Sequence, residues 1–191
     1  MSRRAAALAA AALLPLLLPL VACRRATPPE PQATGDELEL ETLDIEGGGL
    51  DLHLFFPGRG GRLHVEERRV PAPVRRLELV QIAVTELFSG PSDPDLVSPF
   101  PPDVGLGEVL ISEAGIVYID LEAPHLDDPP SSGSLSELLE VYSVVNSVLW
   151  NVPGLRGVVL LWNGTQRPTF AGHLDTSRPL SLKEDLIAGR G

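Results

Sequence analysis

Between Gly107 and Asp175 the hydrophobic period of the chain changes twice, and no other feature restricts the fold as much. Val109 to Ser112 and Ile116 to Leu121 read as two short strands joined at Glu113-Ala114-Gly115, where Gly115 suits the positive φ of a hairpin turn. Alternation places Ile116, Tyr118 and Asp120 on one face and Val117, Ile119 and Leu121 on the other. Neither face is fully polar, so both are expected to be covered in part. From Ser134 the period becomes helical. Leu135, Leu138, Leu139, Tyr142, Val145, Val148 and Leu149 make a wide apolar stripe, with Ser143 and Asn146 interrupting the other side. Ser134 and Glu137 have the spacing of a capping box. Val152-Pro153-Gly154 stops the helix, and Val158-Val159-Leu160-Leu161 then reads as a strand covered on both faces.

Upstream, Leu50, Leu52, Leu54 and Phe56 alternate as one face of a strand, and Leu63 to Val70 can pair back after the glycine-rich turn at 57–61. Pro71-Ala72-Pro73 suits a helix entry, Val74 to Phe88 carries a helical stripe through Val74, Leu77, Val80 (or Gln81), Val84, Leu87 and Phe88, and Ser89-Gly90-Pro91 ends it. Ser92 to Gly107 reads as a long structureless loop, a length that is unusual unless it serves a purpose. Ser181 to Gly191 reads as a polar C-terminal tail. Helices alternating with strands around a central hairpin predict an α+β domain over residues 48–180. Its form would be a two-layer sandwich, with two helices packed on one face of a mixed sheet.

The N-terminus has a different character. Arg3 and Arg4 precede an Ala- and Leu-rich run that ends in Leu20-Val21-Ala22-Cys23. This pattern resembles the bacterial lipobox. The resemblance implies that residues 1–23 are a lipoprotein signal peptide and that Cys23 is the lipid attachment residue. An ordinary secretory signal and an uncleaved anchor are the alternatives. An anchor needs about 20 strongly apolar residues, whereas this run is broken by Pro15 and Pro19. Residues 24–47 are rich in Pro, Glu and Thr and lack a sustained period, so a flexible tether is expected there. Cys23 is the sole cysteine, which excludes an intramolecular disulfide. The formal net charge of -11 argues against nucleic acid and against electrostatic docking on anionic lipid. The membrane is therefore expected to be reached through lipid on Cys23, at the cell membrane or outer membrane, on the extracytoplasmic or periplasmic side.

The order of the motifs from Leu50 to Leu180 resembles the GerMN domain family. The matching pieces are the helix ending Leu-Phe-Ser-Gly-Pro, the GEVLISEAGIVYIDL hairpin, the LLEVYSVVNSVLWNVPGLRGVVLLWNG segment and the closing GHLDTSRPL. The resemblance implies a fold like the ring-building motif of secretion and sporulation channels. It also implies a non-catalytic interaction module of an envelope lipoprotein. Only one copy of the domain is present, and no catalytic residue is carried over.

No GxSxG elbow, phosphate-binding loop or dinucleotide fingerprint occurs, so no catalytic residue, cofactor or metal is assigned. His53, His64, His125 and His173 lie in separate elements without metal-ligand spacing, and His125 with Asp127 and Asp128 reads as a solvated turn. Asp175 is expected to cap a turn and Arg178 to pair with it, with a partner contact as the other reading. Trp150, at an element end, is a candidate interface anchor, and Trp162 a core residue. Protein–protein assembly at the envelope, through a partner or self-association, is the first functional expectation. A small-molecule or cell-wall glycan binder using the Ser92–Gly107 loop is the alternative.

Overall fold

The computed structural model of the chain describes residues 48–72, 75–130 and 133–189. Cys23, the expected signal 1–23, the expected tether 24–47 and the helix-entry residues Pro73 and Val74 lie outside the described residues.

Strands β1 (Gly49–Gly58) and β2 (Arg62–Pro71) form an antiparallel hairpin, and Gly60 and Gly61 turn it with positive φ. The alternating Leu52, Leu54 and Phe56 are buried, as the period requires. Phe55, on the opposite face, is buried as well, with the Trp150 ring edge-on at 5.4 Å. Helix α1 (Arg76–Phe88) buries Leu79, Val80, Ala83, Val84 and Leu87. Leu77, expected on that stripe, is 38 % exposed. Leu77 lies at the edge of the face that Leu79, Val80, Ala83, Val84 and Leu87 bury.

Strands β3 (Gly105–Ile111), β4 (Ile116–Glu122), β5 (Gly157–Trp162) and β6 (Thr165–Gln166) form a mixed sheet in that order. β4 pairs antiparallel with β3 and parallel with β5, so the chain must cross between β4 and β5, and helix α2 (Ser134–Asn151) lies in that connection. Asn163 and Gly164 both have positive φ and turn β5 tightly into β6. Val117, Ile119 and Leu121 point into one core with both helices. This is the expected α+β arrangement of two helices on a mixed sheet. The hairpin β1–β2 is a sheet of its own, without a ladder to the other.

Helix α2 is enclosed from Val141 to Val148 and packs against β1, α1 and β5. Ser143 and Asn146, read as the outer side of an amphipathic helix, are fully buried. A helix covered all round must satisfy its polar side chains internally, and these serve as struts. Ser147 Oγ accepts the Phe55 N–H at 3.0 Å. Asn151 accepts the His53 N–H at 2.9 Å and donates to the His53 carbonyl at 2.7 Å. The helix thereby takes the place of the strand that the outer edge of β1 lacks. Asn146 donates to the Lys183 carbonyl at 3.1 Å and accepts its N–H at 3.0 Å.

Two segments expected to be loose are fastened. The Val97 N–H donates to the Pro57 carbonyl at 2.9 Å, and Phe100 is buried edge-on to Phe88 and Phe170. Beyond Leu180, Leu186 and Ile187 are buried, and the Ala188 N–H donates to the Leu63 carbonyl at 2.8 Å. Residues 181–189 therefore belong to the folded domain: two apolar side chains in a polar stretch are enough to hold it down.

Candidate interaction surface

The most strongly held charge is Glu137, whose side chain is fully buried in the first turn of α2. Its carboxylate accepts the N–H groups of Ala171 at 2.8 Å, His173 at 3.0 Å and Leu174 at 2.9 Å. His173 Nδ1 lies 2.7 Å from Oε2. Burial pushes the Glu137 carboxyl up, but the N–H groups of Leu174 and Ala171, the His173 ring and the His173 N–H outweigh it and hold it below the usual carboxylate range. The capping box is not made: Gly133 is the N-cap, without a side-chain hydrogen bond. Glu137 organises the 171–174 turn instead, a role that no local spacing reveals.

A second carboxylate behaves in the same way. Glu66 accepts the N–H groups of Ser92 at 3.0 Å and Asp93 at 2.8 Å, and Arg68 lies 3.4 Å away. Burial raises its pKa, while those N–H groups and Arg68 lower it further, for a net fall. Arg68 also donates to the carbonyls of Glu86 and Gly90, pinning the end of α1 to β2. Asp175 is exposed and accepts the Ser177 hydroxyl at 2.6 Å and N–H at 2.9 Å, which lower its pKa. Arg178 stands 3.4 Å from it, also exposed. Trp150 is half-buried, 6.1 Å ring to ring from His53. The Trp162 indole N–H donates to the Leu126 carbonyl at 3.1 Å from inside the core. The four histidines stay apart, and among the described residues no three His, Cys, Asp or Glu side chains are grouped to hold a metal. No helix among the described residues is long and apolar enough to cross a membrane.

What remains open is the outer face of the four-stranded sheet. Register puts Leu110 beside Tyr118, Tyr118 beside Val159, and Asp120 beside Leu161. Ile116, Tyr118 and Leu161 are partly exposed and stand outside the apolar core with Leu110, which is 56 % exposed, whereas Val159 between them is buried. At one end the face turns acidic, with Glu108, Asp120 and Glu122. Two shallow depressions lie there. One of about 510 Å³ is lined by Asp120, Glu122, Pro124, Asn163 and Gly164, and one of about 280 Å³ by residues that include Glu108, Leu110 and Tyr118. Asp120 borders both and is 8 % exposed, and the Gly164 N–H donates to its Oδ1 at 2.8 Å. The Ser92–Gly107 loop lines neither depression. Its aromatic residue, Phe100, is spent on the core.

The structure resembles a Clostridium perfringens chain inferred to be a lipoprotein, at 22 % identity and a TM-score of 0.49, over 73 % of this chain and 91 % of that one. It resembles the first GerMN domain of the sporulation protein GerM from Bacillus subtilis at 18 % identity and a TM-score of 0.46, over 69 % of this chain and 97 % of that one. Against the tandem GerMN domains of the same protein the identity is 16 % and the TM-score 0.43, over 69 % of this chain and 46 % of that one. No curated protein matches. The family model Germane, described as sporulation and spore germination, matches residues 53–168. That span runs from β1 to just past β6 and covers more than half of the sequence, so the chain belongs to the Germane family and carries a GerMN-type domain.

Proposed function

We propose that this chain is a lipid-anchored cell-envelope protein whose single GerMN-type domain assembles with another protein and performs no catalysis. The observation that carries the reading is the outer sheet face, where an exposed Leu110 and partly exposed Ile116, Tyr118 and Leu161 lie beside an acidic end. Exposed apolar residues grouped on one face favour an interface. Among the described residues the carboxylates whose pKa is displaced, Glu66, Glu137 and Asp175, are all lowered by hydrogen bonds to the chain itself. They are spent on structure, whereas a general acid or base is tuned toward neutral pH. The lipid part rests on Cys23, at the end of the Ala- and Leu-rich segment.

Labelling cells with radioactive palmitate tests the anchor. Label that disappears in Cys23→Ser supports it, and an unlabelled parent chain refutes it. Photo-crosslinking from probes spread over the domain surface in intact cells tests the assembly. Discrete adducts from one face support the reading, and the absence of adducts from every position refutes it.

A further inference from the structure

The assembly reading leaves the partner's chemistry open, and the following inference rests on that reading. We propose that the outer face of the β3–β6 sheet docks a basic segment of a partner protein, one that alternates Arg or Lys with apolar side chains.

Leu110, Tyr118 and Leu161 supply an apolar floor that is separate from the core of the domain. Glu108, Asp120 and Glu122 supply the charge, and no Lys or Arg lines either depression. Asp120 adds a specific acceptor. It is more than nine-tenths buried, and among the described residues the Gly164 N–H is its sole hydrogen-bond partner. Its second oxygen remains available to a guanidinium or ammonium group that enters the depression. A carboxylate in so little water binds a cation more strongly than one on an open surface does.

Charge also decides between occupants. Two copies of this chain meeting face to face would bring three carboxylates from each into one interface whose depressions no Lys or Arg lines, and like charges resist that. An anionic lipid headgroup would be repelled by the same three carboxylates. A neutral apolar segment would cover the floor but leave Asp120 buried without a counter-charge, which is costly. A segment carrying both apolar and cationic side chains satisfies the whole face.

The test uses the full chain in neutral detergent micelles and three synthetic peptides: alternating Leu-Arg, alternating Leu-Glu, and Ser-Arg of equal charge. Amide shifts in isotope-labelled protein locate binding. The Leu-Arg peptide is expected to perturb 108–111, 118–122 and 161–164 saturably. The paired change Glu108→Lys, Glu122→Lys is expected to weaken it by roughly ten-fold. Both residues are exposed, so the fold is preserved. Equal binding of Ser-Arg, shifts outside this face, or indifference to the charge reversal would each overturn the inference. So would dimerisation of the chain through these strands. Crosslinkers at Leu110 and at Val65, which is 48 % exposed on the hairpin, separate this failure from failure of the assembly reading. Adducts from Val65 alone reject this face and keep an assembly role, and adducts from neither position or any other reject both.

Discussion

Replacing Glu137 by Gln is the sharpest test of how the domain is held together. The carboxylate is buried and accepts three backbone N–H groups as well as His173 Nδ1. Gln keeps one oxygen for Ala171 and Leu174 but turns an NH₂ group toward the His173 N–H, donor against donor. The His173 N–H keeps only its longer contact, 3.2 Å to Oε1, and the remaining bonds lose their ionic character. Together these cost about 2–3 kcal/mol. For a domain of this size, each kcal/mol moves the midpoint by about 2–4 °C, so Gln should melt roughly 5–10 °C below the parent. Glu137→Ala removes every acceptor and should cost about 3–5 kcal/mol. The pH dependence has a definite sign. The folded carboxyl titrates below its ordinary value of 4.5. Its contribution is therefore complete above that value and is lost as pH falls through the lower folded pKa. The gap between parent and Glu137→Gln should still be present at about pH 5 and narrow in stronger acid. Circular-dichroism melts at a series of pH values measure it. A midpoint unchanged at neutral pH, or a gap that widens as pH falls below about 4.5, would refute the reasoning.

Other substitutions probe different links. Asn151→Ala removes the bonds to both backbone groups of His53 and should cost about 1–3 kcal/mol in urea unfolding, with faster exchange of the His53 amide. Phe100→Ala empties a site between Phe88 and Phe170 and should cost about 3–5 kcal/mol. An unchanged midpoint would return the 92–104 segment to the status of a free loop. Gly115→Ala places a Cβ 2.9 Å from the Gly154 carbonyl at a φ of +78°. It should destabilise by about 1–3 kcal/mol in the same assay.

Local pattern gave the right elements where local physics decides them. The β3–β4 turn needs a residue with positive φ, and Gly115 supplies it. The Leu52/Leu54/Phe56 alternation is a property of any half-buried strand. Pattern misled where burial is decided by distant neighbours. Ser143 and Asn146 read as a solvent-facing side because polar residues on a helix normally face water. Ser143 donates back to the Leu139 carbonyl, and Asn146 brackets Lys183, 37 residues away. Spacing pairs Glu137 with Ser134, three residues back, but its partners lie at 171–174. The Ser92–Gly107 stretch reads as slack because Pro, Asp and Gly conceal the single Phe100 that anchors it.

The sequence by itself determined the elements, their order and an α+β architecture, because period and turn chemistry are local. It also carries the Cys23 pattern, which a motif conveys without a fold. Tertiary structure alone decided that the hairpin stands as a separate sheet sealed by α2, and that 181–189 ties the domain together. It also decided that one face of the β3–β6 sheet is left open beside Asp120. These depend on which surfaces meet, and a side chain's burial and partners are set by residues far away along the chain.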